Sequence, residues 1–290
     1  MLYIGEIIKG KWNNNKYIVL QKLGQGGVGS VFKVKDKYGN IRAIKISSDI
    51  NSITREYENM KRFKMMSSVP RAYEIDDYKK YGETFHFFTL EYISGYNLKE
   101  IMKMKNFILS DVSILGTIIL KNLKVIYDLG YIYNDIKLEN IMISTSSKKI
   151  YLIDFGGAVE KGQGIKEYTP TYNIVSWGMD SKDNSTSMIF SVNMILISLI
   201  LKHEPSPLLK DIKEVMLELR NNTVDNRLKR LLLLGLSGKY ENIDKYTKEL
   251  KNINSTKSKY KNIDIIDFIF KGSIFMFMVV LTIGISKKWM

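Results

Sequence analysis

The stretch "YIYNDIKLENIMI", residues 131 to 143, sets Asp135, Lys137 and Asn140 among apolar residues. A solvated face would not carry so many apolar neighbours. A core would not carry these charges either, because burying an ionised group without a partner costs several kcal/mol or more. Such a cluster needs partners, water or a ligand, and the rest of the chain points to a ligand. In "LGQGGVGSVFKV", Gly24, Gly26 and Gly29 fall in G-x-G-x-x-G spacing, with Val31 two residues later. In a dinucleotide-binding fold that pattern opens a helix, and Asp49 stands about twenty residues on, where a ribose-binding acid could lie. The β-branched and aromatic residues after Gly29 read instead as a strand, so the loop joins two antiparallel strands. Glycines there let backbone amides approach phosphate oxygens without side-chain obstruction.

Fourteen residues past Val31 comes "AIK", Ala43 to Lys45. With 44 basic residues in the chain, that triplet alone reads as edge-strand or surface decoration. Its place in the chain reverses this. The glycine loop, a strand, "AIK", a helix bearing Glu56 and Glu58, "YNDIKLEN" and "LIDFGG" follow one another in that order. Order and spacing resemble those of protein kinases. "YNDIKLEN" resembles their catalytic loop H-R-D-x-K-x-x-N, and Asp154, Phe155 and Gly156 match their D-F-G. The resemblance covers about residues 15 to 250 and is to bacterial, eukaryotic-like serine/threonine kinases.

The resemblance implies ATP with Mg2+ (or Mn2+) as cofactors and proteins with serine or threonine hydroxyls as substrates. It implies that Asp135 accepts the hydroxyl proton, that Lys137 faces the moving phosphate, and that Asn140 and Asp154 hold metal. Lys45 would hold phosphates and pair with Glu56, with Glu58 as the alternative partner. Gly24, Gly26, Gly29, Val31 and Ala43 would line the nucleotide site. "FTLEYISGYNL" resembles the hinge, with Leu90 as gatekeeper and the backbone of Glu91 and Tyr92 bonding the base. "YTPTY" resembles T-P-x-Y, which puts Thr169 near Asp135. Departures from the pattern are equally specific. Tyr133 and Asn134 replace the His-Arg of the catalytic loop, A-P-E is missing after "YTPTY", Met188 replaces a supporting aspartate, and Lys239 replaces an arginine. Without that loop arginine, activity without obligatory activation-loop phosphorylation is expected. The competing reading is a nucleotide-binding pseudokinase or membrane scaffold. Retention of Lys45, Asp135, Asn140 and Asp154 favours catalysis.

The elements that must position these residues follow from periodicity. Residues 12–90 read mostly as strands with one helix near 51–66, and beyond Leu98 the signal turns helical, which suggests lobes at 15–90 and 91–250. Ser52 or Thr54 is the expected cap of the first helix, and "SMIFSVNMILISLIL" reads as a buried helix. The expected fold is α+β and two-lobed, protein-kinase-like, with residues 1–14 as an amino-terminal extension. Residues 251–267 read as a basic linker, 268–286 as a transmembrane helix, and 287–290 as a short tail. Phe268 to Ser286 carries one charge, Lys271, and would span about 28 Å as a helix against a hydrocarbon core of roughly 30 Å. Trp289 behind two lysines resembles an interfacial anchor. The expected location is the cell membrane, single-pass, with the kinase lobes cytoplasmic.

The net charge of +14 favours acidic partners. Lys248, Lys251, Lys257, Lys259 and Lys261 suit anionic lipid, with nucleic acid as the less favoured partner. The chain has no cysteine, which excludes disulfides and thiolate metal sites, and His86 and His203 read as ordinary strand or loop residues. Oligomeric state is not legible in the sequence.

Overall fold

The computed structural model describes residues 2–255, except 28, 165–167, 181–182 and 241. The first part is a six-stranded antiparallel sheet in the order β1-β2-β3-β4-β6-β5. Its strands are β1 (Ile7–Lys9), β2 (Lys16–Gln25), β3 (Ser30–Asp36), β4 (Ile41–Ser47), β5 (Ala72–Lys80) and β6 (Glu83–Glu91), with helix α1 (Ile50–Arg62) between β4 and β5. Alternation along the strands divides the sheet into two faces. Val31 lies opposite Lys45 and Ala43 opposite Leu90, which puts these side chains on one face. Phe32, Val34, Ile44, Ile46 and Phe87 point the other way, into a small closed core.

Residues 2–14, within the stretch expected as an amino-terminal extension, contribute to this lobe. Ile7 pairs with Ile18 and Lys9 with Lys16, so β1 forms the edge beside β2, and Ile8 is fully buried in the outer core. The chain then crosses to the opposite edge. There the Lys11 amide donates to the Asp77 carbonyl at 2.8 Å, and the Trp12 and Asn13 amides donate to the Asp76 carboxylate at 2.9 and 2.8 Å. The edge at β5 is thus partly covered by the strap.

Glu6 fastens this strap. Its buried carboxylate receives Lys80 Nζ at 2.7 Å, the Tyr78 hydroxyl at 2.8 Å and the Tyr3 amide at 3.0 Å. Burial disfavours the charge, but the bonds from Lys80, Tyr3 and Tyr78 outweigh it and hold Glu6 below its ordinary value. A depressed carboxyl stabilises the fold above its unfolded value and loses that contribution as pH falls through the folded one. Glu6→Gln is therefore expected to cost about 2 kcal/mol at pH 7. The gap from wild type should narrow below pH 4.5, the ordinary glutamate value. Melting curves from pH 7 to 3 check this, and a constant gap would contradict it.

α1 is capped by Asp49, whose Oδ1 accepts from the Asn51 and Ser52 amides at 2.9 and 3.3 Å. The cap is thus three residues before Ser52 and five before Thr54. Asp49 serves the helix rather than a ribose.

The second part contains helices α2 (Leu98–Met104), α3 (Leu109–Asp128), α4 (Asn184–Leu201), α5 (Ile212–Asn221), α6 (Asn226–Leu236) and α7 (Ile243–Ser255). Short strands β7 (Gly95–Asn97), β8 (Tyr131–Tyr133), β9 (Ile141–Ser144), β10 (Ile150–Leu152) and β11 (Ala158–Glu160) lie beside the cleft. Among the described residues, α4 alone is long and apolar enough to cross a membrane. α3, α6 and α7 pack around it and make it the core of the lobe. The α+β, two-lobed architecture agrees with the sequence expectation. The expected membrane helix at 268–286 and most of the linker lie outside the described residues.

Candidate active site

Two strand pairings bring the chemistry together. β9 and β10 form an antiparallel hairpin, and β11 returns to pair with β8. The segment 134–140 between β8 and β9 therefore runs beside 153–157, between β10 and β11. The Ile153 amide donates to the Asn140 carbonyl at 2.9 Å and stitches the two segments together.

Asp135, Lys137 and Asn140 of the opening stretch each have a partner, whereas the buried Nδ2 of Asn134 has none. Lys137 Nζ donates to Asp135 Oδ2 at 2.5 Å, and the Thr169 hydroxyl donates to Oδ1 at 2.9 Å. Asn140 Nδ2 donates to the Asp135 carbonyl at 2.8 Å and to Oδ2 at 3.2 Å. These bonds compensate a carboxylate that is 8% exposed. Tyr133, where the family has histidine, is buried beneath the loop and donates its hydroxyl to the Ile153 carbonyl at 2.6 Å. Burial pushes its phenol well above the usual value, and the nearby charges of Asp154, Asp135 and Glu56 add to this. One ring thus senses all three carboxylates of the cleft.

Lys45 joins the lobes. Its Nζ lies 2.5 Å from Glu56 Oε2 and 3.2 Å from Asp154 Oδ1. Burial opposes its charge, yet Glu56 and Asp154 more than offset that and hold its pKa above the ordinary lysine value. Glu56 is buried and Glu58 exposed, which decides between the two helix acids. Gly24, Gly26 and Gly27 have open space where a Cβ would be, whereas a Cβ on Gly29 would come within 2.5 Å of the Ile46 carbonyl. Gly29 lets the loop lie against β4, the others place no side chain over it, and the Gly26 amide is given to the Gly29 carbonyl at 2.9 Å. Leu90, the second-last residue of β6, lies opposite Ala43. The Glu91 amide is already given to the Arg71 carbonyl at 2.8 Å, so the base cannot use that N–H without displacing Arg71. Tyr92 is half-buried, with Lys33 over its ring at 4.5 Å.

The donor set fits a nucleotide carrying a divalent cation. Asn140 spends its Nδ2 on Asp135, leaving the amide oxygen for a cation, and Asp154 is a partly exposed carboxylate. Hard cations of this kind take one or two protein oxygens plus substrate phosphates and water. Accordingly, no cluster of three or more acidic, histidine or cysteine ligands occurs among the described residues.

The departures from the family pattern also have structural counterparts. Met188 is buried in the lobe core and Lys239 is exposed. Another set of residues supports the segment after Thr169. The buried Tyr172 donates to Glu204 Oε2 at 2.6 Å, and Lys99 Nζ bridges Glu204 and Glu139 at 2.7 and 2.6 Å. This network spans four separate chain segments and left no local trace in the sequence. Asn59 and Arg55 of α1 were also missed. They bond the main chain of the D-F-G segment, and the available signal was a polar residue three positions after Glu56 on an otherwise buried helix face.

A protein kinase domain model matches residues 17–268. The chain is similar to the serine/threonine-protein kinase YabT of Bacillus subtilis (strain 168), 30% identical over 263 residues, covering 89% of this chain and 77% of that protein. It is also similar to a probable serine/threonine-protein kinase of Clostridium perfringens (strain 13 / Type A), 29% identical over 155 residues, or 51% of this chain and 22% of that one. A probable casein kinase I homolog of Encephalitozoon cuniculi (strain GB-M1) is 28% identical over 162 residues, 53% of this chain and 49% of its own length. The lobes, the cleft residues and these likenesses agree: the chain belongs to the protein kinase family, as an ATP-dependent serine/threonine kinase that works with a divalent metal.

Proposed function

We propose that the chain phosphorylates serine or threonine hydroxyls of proteins, with Asp135 orienting the hydroxyl and receiving its proton. Lys137 neutralises charge developing on the moving phosphate, Lys45 holds the phosphates further back, and Asn140 and Asp154 hold magnesium. Bound metal supplies positive charge against the phosphate oxygens. The observation that carries this reading is the Thr169 hydroxyl donating to Asp135 Oδ1 at 2.9 Å, a contact of the kind a substrate hydroxyl would make. The test is transfer of labelled phosphate from ATP by the full chain, with an Asp135→Asn control. ATP binding without transfer would put the pseudokinase reading in its place.

We also propose attachment to the cell membrane through residues 268–286, with the lobes cytoplasmic and the basic linker against anionic lipid. Sequence supports this: a nineteen-residue apolar run behind five lysines in fourteen residues. Each lysine near an anionic surface is worth roughly 1 kcal/mol. A peptide of residues 248–262, which lacks the apolar run, is expected to bind anionic vesicles in preference to DNA at two salt concentrations. Tighter binding to DNA at both would favour nucleic acid as the partner instead.

A further inference from the structure

Helix α1 carries Glu56, Asn59 and Met60 on one buried face. Asn59 is 4% exposed, and its Nδ2 donates to the Phe155 carbonyl at 2.9 Å and the Ala158 carbonyl at 3.0 Å. Both amide hydrogens of one side chain are thus spent on main chain almost a hundred residues further on. One turn earlier, Arg55 Nε donates to the Gly156 carbonyl at 2.9 Å. The helix therefore grips three carbonyls in the five residues that follow Asp154.

Asp154 itself sits at φ 66°, a left-handed conformation that a non-glycine residue keeps only when its surroundings hold it there. On one side it is held by Lys45, which is in turn held by Glu56. On the other side the next residue is Phe155, fully buried against Phe63 and Tyr133 with ring centroids 5.5 and 5.2 Å away. Asn59 fixes the carbonyl of that residue. Glu56 and Asn59, three positions apart on one helix, close a ring through Lys45, Asp154 and Phe155. Rotation of the helix that broke one link would strain the other.

We infer that Asn59, assisted by Arg55, is a positioning residue that locks α1 to the D-F-G segment and sets the orientation of Asp154 without a phosphate on the activation segment. This rests on the assignment of Asp154 to the metal. The lock is made of one amide, one guanidinium and main-chain carbonyls, none of which needs a phosphate, so it is present in the unmodified chain. It aligns the segment after Asp154 without using the loop arginine, whose place Asn134 takes in this chain.

The test uses the full chain and three substitutions. Asn59→Leu keeps the volume and removes both donors, Asn59→Ser keeps one, and Arg55→Lys keeps the charge but not the planar fork. Amide hydrogen exchange without nucleotide is expected to quicken about tenfold in residues 154–158 for Asn59→Leu, with β2 to β6 unchanged. In the same variant, half-saturating magnesium for ADP binding should rise about tenfold, with Asn59→Ser and Arg55→Lys between it and wild type. In a Glu56→Gln background the Asn59→Leu effect on kcat should shrink, because contacts in one ring do not add. Wild-type magnesium dependence in all three variants would overturn the inference, as would exchange that quickens evenly over the whole chain. If Asp154→Asn left magnesium dependence unchanged, the metal assignment itself would fail, which is a separate result.

Discussion

Asp135→Asn is expected to lower phosphate transfer by about 10²-fold or more while ATP affinity stays close to wild type. The substitution is isosteric, so the bonds from Thr169 to Oδ1 and from Asn140 to the Asp135 carbonyl are retained if the amide oxygen takes the Oδ1 position. The amide nitrogen would then face Lys137 Nζ, which lies 2.5 Å from Oδ2. Two donors cannot share that contact, so Lys137 must move, and the hydroxyl loses both its proton acceptor and its alignment. Quantified phosphate transfer at saturating ATP, alongside nucleotide binding, checks the claim. An unchanged rate would remove Asp135 from the mechanism.

Lys45→Met should have a double effect. Transfer should fall by about 10² to 10³-fold, the range seen when one preorganised charge-stabilising donor is lost. Stability should also fall by about 3–5 kcal/mol, because Glu56, with a side chain 5% exposed, would keep a buried charge with its ion-pair partner gone. The two effects come apart in a second variant. Lys45→Met with Glu56→Gln removes both charges, and most of the stability should return while transfer stays low. Thermal melts beside transfer rates read this directly. If activity returned together with stability, Lys45 would be a fold residue with no hold on phosphate.

These variants also show why the site was legible before the fold was known. Asp135, Lys137 and Asn140 lie within six residues, and the chemistry of a cation and a phosphate restricts which residue types can serve there. Asp154 and Lys45 are more distant, yet each lies in a short segment whose pattern is local. The choice between Glu56 and Glu58 was open because both stand on one helix two positions apart. Only the packing of α1 against β4 and β6 buries one and exposes the other.

Other features could not be read locally. The strap at residues 2–14 depends on hydrogen bonds from Lys11, Trp12 and Asn13 to Asp76 and Asp77, more than sixty residues further on. The Lys99–Glu139–Glu204–Tyr172 network ties down the segment after Thr169, but its members come from four parts of the chain. Asp49 matched the expected distance of a ribose acid and turned out to be a helix cap, because its neighbour is α1 and not a nucleotide.

By itself the sequence determined the two-lobed plan and the reactive groups, since strand alternation, glycine spacing and charged clusters are properties of neighbouring residues. The tertiary structure alone decided which helix acid meets Lys45, what ties down the segment after Thr169, and how Asn59 reaches the segment after Asp154. Those outcomes depend on contacts between residues about ten to a hundred positions apart, which only the packed chain brings within hydrogen-bonding distance.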